Sequence, residues 1–369
     1  MFRSGPGPAV ILFLSLLTQP SVAADVAHLV LELPAPDGPY AVGSKTLVLT
    51  DARRDRDLLV TTWFPASGKS VVAPYMDKRT AAEFSAEWKL QPGFEQNVHT
   101  HAWFQSPIAK NGPFPLVLLE HGSGVVPAIY TILAEGLASN GFIVAATNHP
   151  PDSLIAVFPD GREVKAKPYW PVDADRRTQG VAIGKFAEDV LVADVRFVLD
   201  RLQDMNANDN FWRGHIDLAK VGIVGHSMGG TTAALATGQE SRISAGVNLD
   251  GSTFPGMNAD VRPMDLRKPL LFMATEEHAS NPETHAREYI GSESNTYYVV
   301  VAGDDHMGFT DARLLMSRFS KESPPDDRAY ERALLKVELT RSLVEEFLAK
   351  YLKHSLAPEL DVLVRVDRK

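Results

Sequence analysis

The stretch Val221-Gly222-Ile223-Val224-Gly225-His226-Ser227-Met228-Gly229-Gly230-Thr231-Thr232-Ala233-Ala234-Leu235-Ala236 changes character twice. Its first residues, apolar and largely β-branched, read as a buried strand, and its last six read as a helix. Between them Gly225 and Gly229 stand two residues either side of Ser227, and neither carries the Cβ that would clash in so sharp a turn. Such a turn lifts the Ser227 hydroxyl above the end of a sheet, at the positive end of the following helix. The pattern predicts a serine nucleophile. Its plainer reading is a glycine-rich strand–helix turn with an incidental serine.

The surrounding chain supplies the sheet that this turn needs. Short β-rich runs alternate with helical patterns, which predicts an α/β fold with a mostly parallel central sheet and helices on both faces. Residues 46–50 and 58–64, joined by the charged turn Asp51-Ala52-Arg53-Arg54-Asp55-Arg56-Asp57, read as an antiparallel hairpin at the sheet edge. Further strands are expected at 116–120, 142–148, 221–225, 244–250, 270–274 and 296–302. Helices are expected at 127–139, stopped by Asn140-Gly141, at 185–205 and at 327–354. Spacings of three and four put Phe186, Val190, Ala193 and Phe197 on the buried face of the second, and Val337, Val344, Phe347, Leu348 and Tyr351 on that of the third. Residues 65–113 and 150–184 fit the alternation poorly and are rich in Pro and aromatics, as lid-like insertions are.

Composition bounds the rest. The 369 residues, 44% hydrophobic and 22% charged, are ordinary globular usage and exclude a disordered, collagenous or multi-span membrane chain. With 37 Lys+Arg against 46 Asp+Glu, the net charge of -9 offers no basic excess for a nucleic-acid partner. The absence of cysteine excludes disulfides, thiolate metal sites and a cysteine nucleophile. His99-x-His101 has no convincing third ligand, so neither a metal nor a cofactor is expected. Met1-Phe2-Arg3, the apolar run 9–17 and Val22-Ala23-Ala24 have the parts of a signal peptide over 1–24. Residues 25–369 then form one exported domain, periplasmic or secreted, with no integral membrane segment after cleavage.

A serine needs a base, and the base needs a carboxylate to fix its tautomer. Where the nucleophile sits on a strand–helix turn, the acid and then the histidine follow it in the chain. Of the histidines after Ser227, His306 lies just beyond the last expected strand, where a loop carries it over the serine; His278 follows the preceding strand. Asp250 closes the strand after the nucleophile and has uncharged neighbours, while Glu276 and Glu277 close the next. Glu120-His121-Gly122-Ser123-Gly124 follows the strand at 116–120, so the N–H groups of Ser123 and Met228 are the expected oxyanion donors. The aromatics of the insertions, with Phe254, Met307 and Phe309 beside the expected catalytic loops, are candidates for a substrate-binding acyl pocket. Because the histidine must be neutral to accept a proton, activity is expected to rise through about pH 6–7.

With these residues in place, the chain resembles the plasma-type platelet-activating-factor acetylhydrolase family of α/β-hydrolases, particularly its bacterial relatives. Asp51-Ala52-Arg53-Arg54-Asp55-Arg56 leading to Thr62-Trp63-Phe64-Pro65-Ala66 is similar to that family's early hairpin. His121-Gly122-Ser123-Gly124 with Leu137–Ala146 is similar to its oxyanion loop and the helix and strand that follow, and Gly225-His226-Ser227-Met228-Gly229-Gly230 to its elbow. The resemblance spans residues 38–308. It implies an α/β-hydrolase fold, the choice of Asp250 over Glu276 and Glu277, and a calcium-independent serine carboxylester hydrolase with Ser227, Asp250 and His306 as triad. The substrate it implies is a small-molecule ester or lipid. Gly251-Ser252 stands where lipid-hydrolysing members carry an aromatic. A cutinase-like polyester hydrolase shares the elbow but places its acid one strand later and uses an open groove. A non-catalytic binding module on the same fold is the alternative of another class.

Overall fold

The computed structural model describes residues 29–252, 268–280, 296–303 and 305–356. The expected signal peptide over 1–24 and Phe254 lie outside the described residues. Nine strands form the central sheet: β1 (Ala41–Asp51), β2 (Arg56–Ala66), β3 (Ala102–Phe104), β4 (Phe114–Glu120), β5 (Ile143–Asn148), β6 (Ile216–His226), β7 (Ile243–Leu249), β8 (Leu270–Thr275) and β9 (Thr296–Val301). Their order across the sheet is β9-β8-β7-β6-β4-β5-β2-β1-β3. From β5 to β9 every pairing is parallel, whereas β2 runs antiparallel to both β1 and β5. The hairpin of the charged turn is therefore present and longer than expected. It is not the edge, because β3 from the first insertion adds a parallel strand outside β1.

The period-two alternation of the strands divides the core in two. Val117 and Leu119 of β4 face a cluster built on α2 (Thr131–Ser139) and α7 (Asp327–Lys353), while Leu116 and Leu118 face α4 (Val192–Asn208) and α5 (Met228–Gln239). Leu116, Val117 and Leu118 are each 0% exposed, so the unbroken apolar run reflects a strand covered on both sides. On α7, Val337, Val344, Phe347 and Leu348 are buried as their spacing predicts, and Tyr351 is half-buried. Among the described residues no helix is long and apolar enough to cross a membrane.

The long central helix departs from expectation. It begins with α3 (Arg176–Phe186), where the Asp175 carboxylate accepts the Thr178 N–H at 3.0 Å, and passes through a π turn at Ala187–Leu191 into α4. Residues 176–184 therefore belong to a helix as well as to the second insertion. Its buried face carries Ala187, Leu191, Val195, Val198 and Leu202 together with Asp194, whereas Phe186, Val190, Ala193 and Phe197 form a half-buried shoulder. The charged Asp194 in the middle of the true apolar stripe made the neighbouring row look like the core face. The first insertion contributes α1 (Lys78–Glu87), β3 and the short pairing of Leu31–Glu32 with Val98–His99; the second contributes the hairpin of Ile155–Val157 with Glu163–Lys165. Beyond β9, α6 (Ala312–Phe319) packs against α7.

Candidate active site

The turn after β6 is as tight as the glycine pattern requires. Ser227 sits at φ +55°, a conformation rarely held by a residue with a side chain, and its N–H donates to the Leu249 carbonyl at 2.8 Å. A Cβ on Gly225 would stand 2.0 Å from the Gly229 carbonyl oxygen, and one on Gly229 would stand 2.1 Å from that of Glu120. Close approach of backbone to backbone, rather than unusual φ, is what excludes a side chain at both positions. The turn brings Ser227 to the wall of a pocket of about 390 Å³ at the carboxyl ends of the strands.

Asp250 follows β7 at φ +56° and is almost fully buried. Its N–H donates to the Met273 carbonyl at 2.7 Å, and its Oδ1 accepts the Thr275 N–H at 2.8 Å, so the end of β8 fixes the carboxylate. Two histidines then share it. His306 Nδ1 lies 2.6 Å from Oδ2, and His278 Nδ1 lies 2.8 Å from Oδ1. Burial alone would raise this carboxyl, but hydrogen bonds from His278, His306 and Thr275 outweigh it and hold the group well below the usual carboxylate range. The second nitrogens differ: His278 Nε2 lies 2.8 Å from Ser252 Oγ, whereas His306 turns a half-exposed ring into the pocket. Among the described residues the Ser227 hydroxyl has no hydrogen-bond partner, an open contact of the kind that substrate binding tightens. Glu276 instead accepts the Gly303 N–H at 2.9 Å, and Glu277 lines the pocket rim.

Ser123 and Met228 also line the pocket, and the N–H groups of neither find a protein acceptor among the described residues. The Ser123 hydroxyl donates to the buried Asp152 carboxylate, and the Gly124 N–H donates to the Asp152 carbonyl at 2.8 Å, so Asp152 holds the loop from behind. Burial raises the Asp152 carboxyl against the hydrogen bond from Ser123. Tyr169 reaches Ser123 Oγ at 3.3 Å, and its ring lies on Phe186 at 3.7 Å between centroids. Trp170 meets Tyr169 edge-on, which makes one side of the pocket aromatic.

The structure brings Ser227, Asp250, His306, Ser123 and Met228 to one pocket. It does not bring Met307 or Phe309 there. Phe309 is 1% exposed and Met307 packs on the same cluster, because the one turn of helix at His306–Phe309 points them inward. Of the insertion aromatics expected as candidates for an acyl pocket, Tyr169 and Trp170 line this one, while sequence reasoning missed His278 as a partner of Asp250. The position of His278 after β8, opposite the end of β7, was the available signal.

The charged hairpin turn has a structural use close to the site. Arg56 grips the fully buried Asp194 with two hydrogen bonds at 3.0 and 2.5 Å, Arg54 adds a third at 2.7 Å, and Asp51 accepts from Arg54. His149 Nδ1 lies 3.0 Å from Asp194, and its Nε2 meets the Glu120 carboxylate. Burial lowers an imidazole, yet Glu120 and Asp194 outweigh it and push His149 up to about 9. The His149 backbone N–H donates to His121 Nε2 at 3.1 Å, and burial pulls His121 down to about 3. The network ends at His121, where the Gly122–Gly124 loop begins.

Residues 27–168 and 181–324 match the family described as platelet-activating factor acetylhydrolase, isoform II. The chain belongs to that family. It is an α/β-hydrolase and a carboxylic ester hydrolase. Among acetylhydrolase relatives, that of Cavia porcellus is 27% identical over 305 residues, covering 76% of this chain and 69% of its own. A probable 1-alkyl-2-acetylglycerophosphocholine esterase of Arthroderma benhamiae is 26% identical over 280 residues, covering 68% of this chain and 67% of its own. A solved ferulic acid esterase from Streptomyces cinnamoneus superposes with a TM-score of 0.72 at 29% identity, over 90% of this chain and 96% of that one.

Proposed function

We propose that this acetylhydrolase-family chain cleaves esters through an acyl-serine intermediate, with Ser227 as nucleophile, His306 as base and Asp250 as its orienting acid. The contact that carries the reading is His306 Nδ1 on Asp250 Oδ2 at 2.6 Å, which leaves the other edge of the same ring to the pocket that Ser227 lines. His306 Nε2 takes the Ser227 proton as Oγ attacks the carbonyl, and the N–H groups of Ser123 and Met228 hold the oxyanion. Collapse expels the alcohol, which takes that proton from His306. Water then repeats the sequence on the acyl-serine and releases the acid. The low-lying Asp250 carboxylate stays ionised and stabilises the imidazolium.

For the substrate, the acetylglycerophosphocholine esterase among the relatives favours a short acyl group on a phospholipid-type alcohol. The aromatic wall of Trp170 and Tyr169, the latter backed by Phe186, favours a second reading, a planar aromatic acyl group such as the one in the name of the similar esterase structure. The N-terminal apolar run supports export, and mass spectrometry of protein recovered outside the cytoplasm tests it by a start at residue 24 or 25. The chemistry is tested with a fluorophosphonate probe and adduct mapping, with Ser227→Ala run beside the wild type. A single adduct on Ser227 is expected; a folded protein that stays unlabelled overturns the reading. Acetyl and feruloyl esters of one alcohol, compared by kcat/KM, then decide the acyl class.

A further inference from the structure

Behind the pocket, the residue that precedes the nucleophile belongs to a chain of three hydrogen bonds. The Gly122 N–H donates to Tyr130 Oη at 3.0 Å, Tyr130 Oη lies 3.0 Å from His226 Nδ1, and His226 Nε2 lies 2.9 Å from the His306 backbone carbonyl. The ends fix every proton. A carbonyl only accepts, so His226 Nε2 carries the hydrogen. Burial pulls His226 down to about 3, so the ring is neutral and Nδ1 is bare. The Tyr130 hydroxyl therefore donates to Nδ1 and accepts from Gly122, and no link can reverse without stranding a buried polar atom.

The segments joined are the three that must agree for catalysis. Gly122 precedes the oxyanion donor Ser123, His226 precedes Ser227, and His306 bears the base. They are also pressed together: a Cβ on Gly122 would lie 3.1 Å from Ser227 Cβ and 3.2 Å from His226 Nδ1. The His226 ring packs between Tyr130 and His306, with centroids 5.9 and 4.5 Å away. Tyr130 and His226 are 2% and 1% exposed, and neither lines the pocket.

We infer that Tyr130 and His226 are positioning residues for ester hydrolysis, a buried relay that holds the oxyanion loop, the nucleophile turn and the base-bearing turn in one register. This rests on the roles proposed above for Ser227, Ser123 and His306. No proton travels along the relay; it sets where the Ser123 N–H and the His306 ring stand relative to Ser227 Oγ. Donors placed before the reaction matter most as charge develops, so the loss on breaking the relay falls on kcat and spares KM.

The test compares wild type, Tyr130→Phe, His226→Gln and the double variant on p-nitrophenyl acetate well below the unfolding midpoint of each, with fluorophosphonate labelling of Ser227 in the same buffer. Tyr130→Phe is expected to lower kcat by about 10- to 100-fold with KM within about twofold. His226→Gln keeps a side-chain N–H for the His306 carbonyl but breaks the link to Tyr130, so it is expected to lose kcat in the same direction. Since both break one chain, the double variant is expected to fall well short of the product of the two losses. A folded Tyr130→Phe with kcat within about twofold of wild type, or losses that multiply in the double variant, overturns the relay. Should Tyr130→Phe fail to fold, His226→Gln carries the test alone with the same threshold. An unlabelled wild-type Ser227 brings down the triad assignment and the relay with it; a labelled wild type with indifferent variants brings down the relay alone.

Discussion

Asp250 serves two imidazoles, and the choice between them is made at their far nitrogens. His278 Nε2 is engaged with Ser252 Oγ, while the His306 ring opens onto the Ser227 pocket. Replacing Asp250 by Asn keeps its shape but lets the base adopt the wrong tautomer, so kcat is expected to fall by about 10⁴-fold while far-UV dichroism is unchanged. His278→Gln removes only one of the groups that hold Asp250 down. Its kcat is expected to fall by no more than about tenfold, and the acid-side fall of activity to stay where it is in the wild type, since the Asp250 carboxyl lies far below the base whose protonation sets that limb. Measuring kcat and the pH profile of kcat/KM for His278→Gln and His306→Gln together checks this, and a larger loss at His278 than at His306 reverses the assignment. The Ser227 turn was legible because backbone crowding leaves its mark as glycines at fixed offsets. His306 was legible from its place after the last strand. The bond from His278 to Asp250 was marked only by the place of His278 after β8, with no local spacing to single it out.

At the scale of elements, the turn between β1 and β2 shows what a charged run with no visible purpose in the sequence does in the fold. Arg54 and Arg56 neutralise Asp194 inside α4, and without them that carboxylate would be buried with only His149 for company. Arg56→Met is expected to cost about 1.5–3 kcal/mol in urea unfolding, because Asp194 loses its two hydrogen bonds from Arg56 and keeps only Arg54 and His149. His149 sets a pH dependence in the same network. Its value, about 6.5 in the unfolded chain, rises to about 9 on folding, so its contribution is full below about pH 6.5 and fades as the pH climbs through 9. The stability difference between wild type and His149→Gln is therefore expected to shrink from pH 6.5 to 9.5; parallel unfolding curves over that range would sink the idea. This network also explains the misread face of α4. A periodicity argument counts Asp194 as polar and moves the stripe by one row, and only the tertiary pairing with the hairpin makes that position part of the core.

At the scale of the whole molecule, the two insertions prove unequal. Sequence reasoning treats both as lids, since length, proline and aromatics are all it can weigh. In the fold, residues 150–184 bring Tyr169, Trp170 and Ile183 to the Ser227 pocket, while 65–113 reach only a separate cavity of about 380 Å³, which they line with Tyr75, Met76, Thr100 and Phe104 opposite Val157 and Phe158 of the second insertion. The reason lies in topology. The first insertion leaves β2 and returns through β3 on the outer side of β1, so it covers the hairpin end of the sheet. The second leaves β5 beside the nucleophile strand's neighbour and runs into the helix that flanks α5. Substrate selection should then reside in the second insertion alone. Trp170→Ala is expected to lower kcat/KM for a feruloyl ester by about tenfold, the worth of one aromatic contact, and to lower that for an acetyl ester much less. Phe104→Ser, in the first insertion and 41% exposed, is expected to leave both substrates within about twofold of wild type. Equal losses on the two esters at Trp170 would mean that the wall supports the fold of the pocket without reading the acyl group. A selective loss at Phe104 would mean that the second cavity communicates with the first, and the division between the insertions would fail.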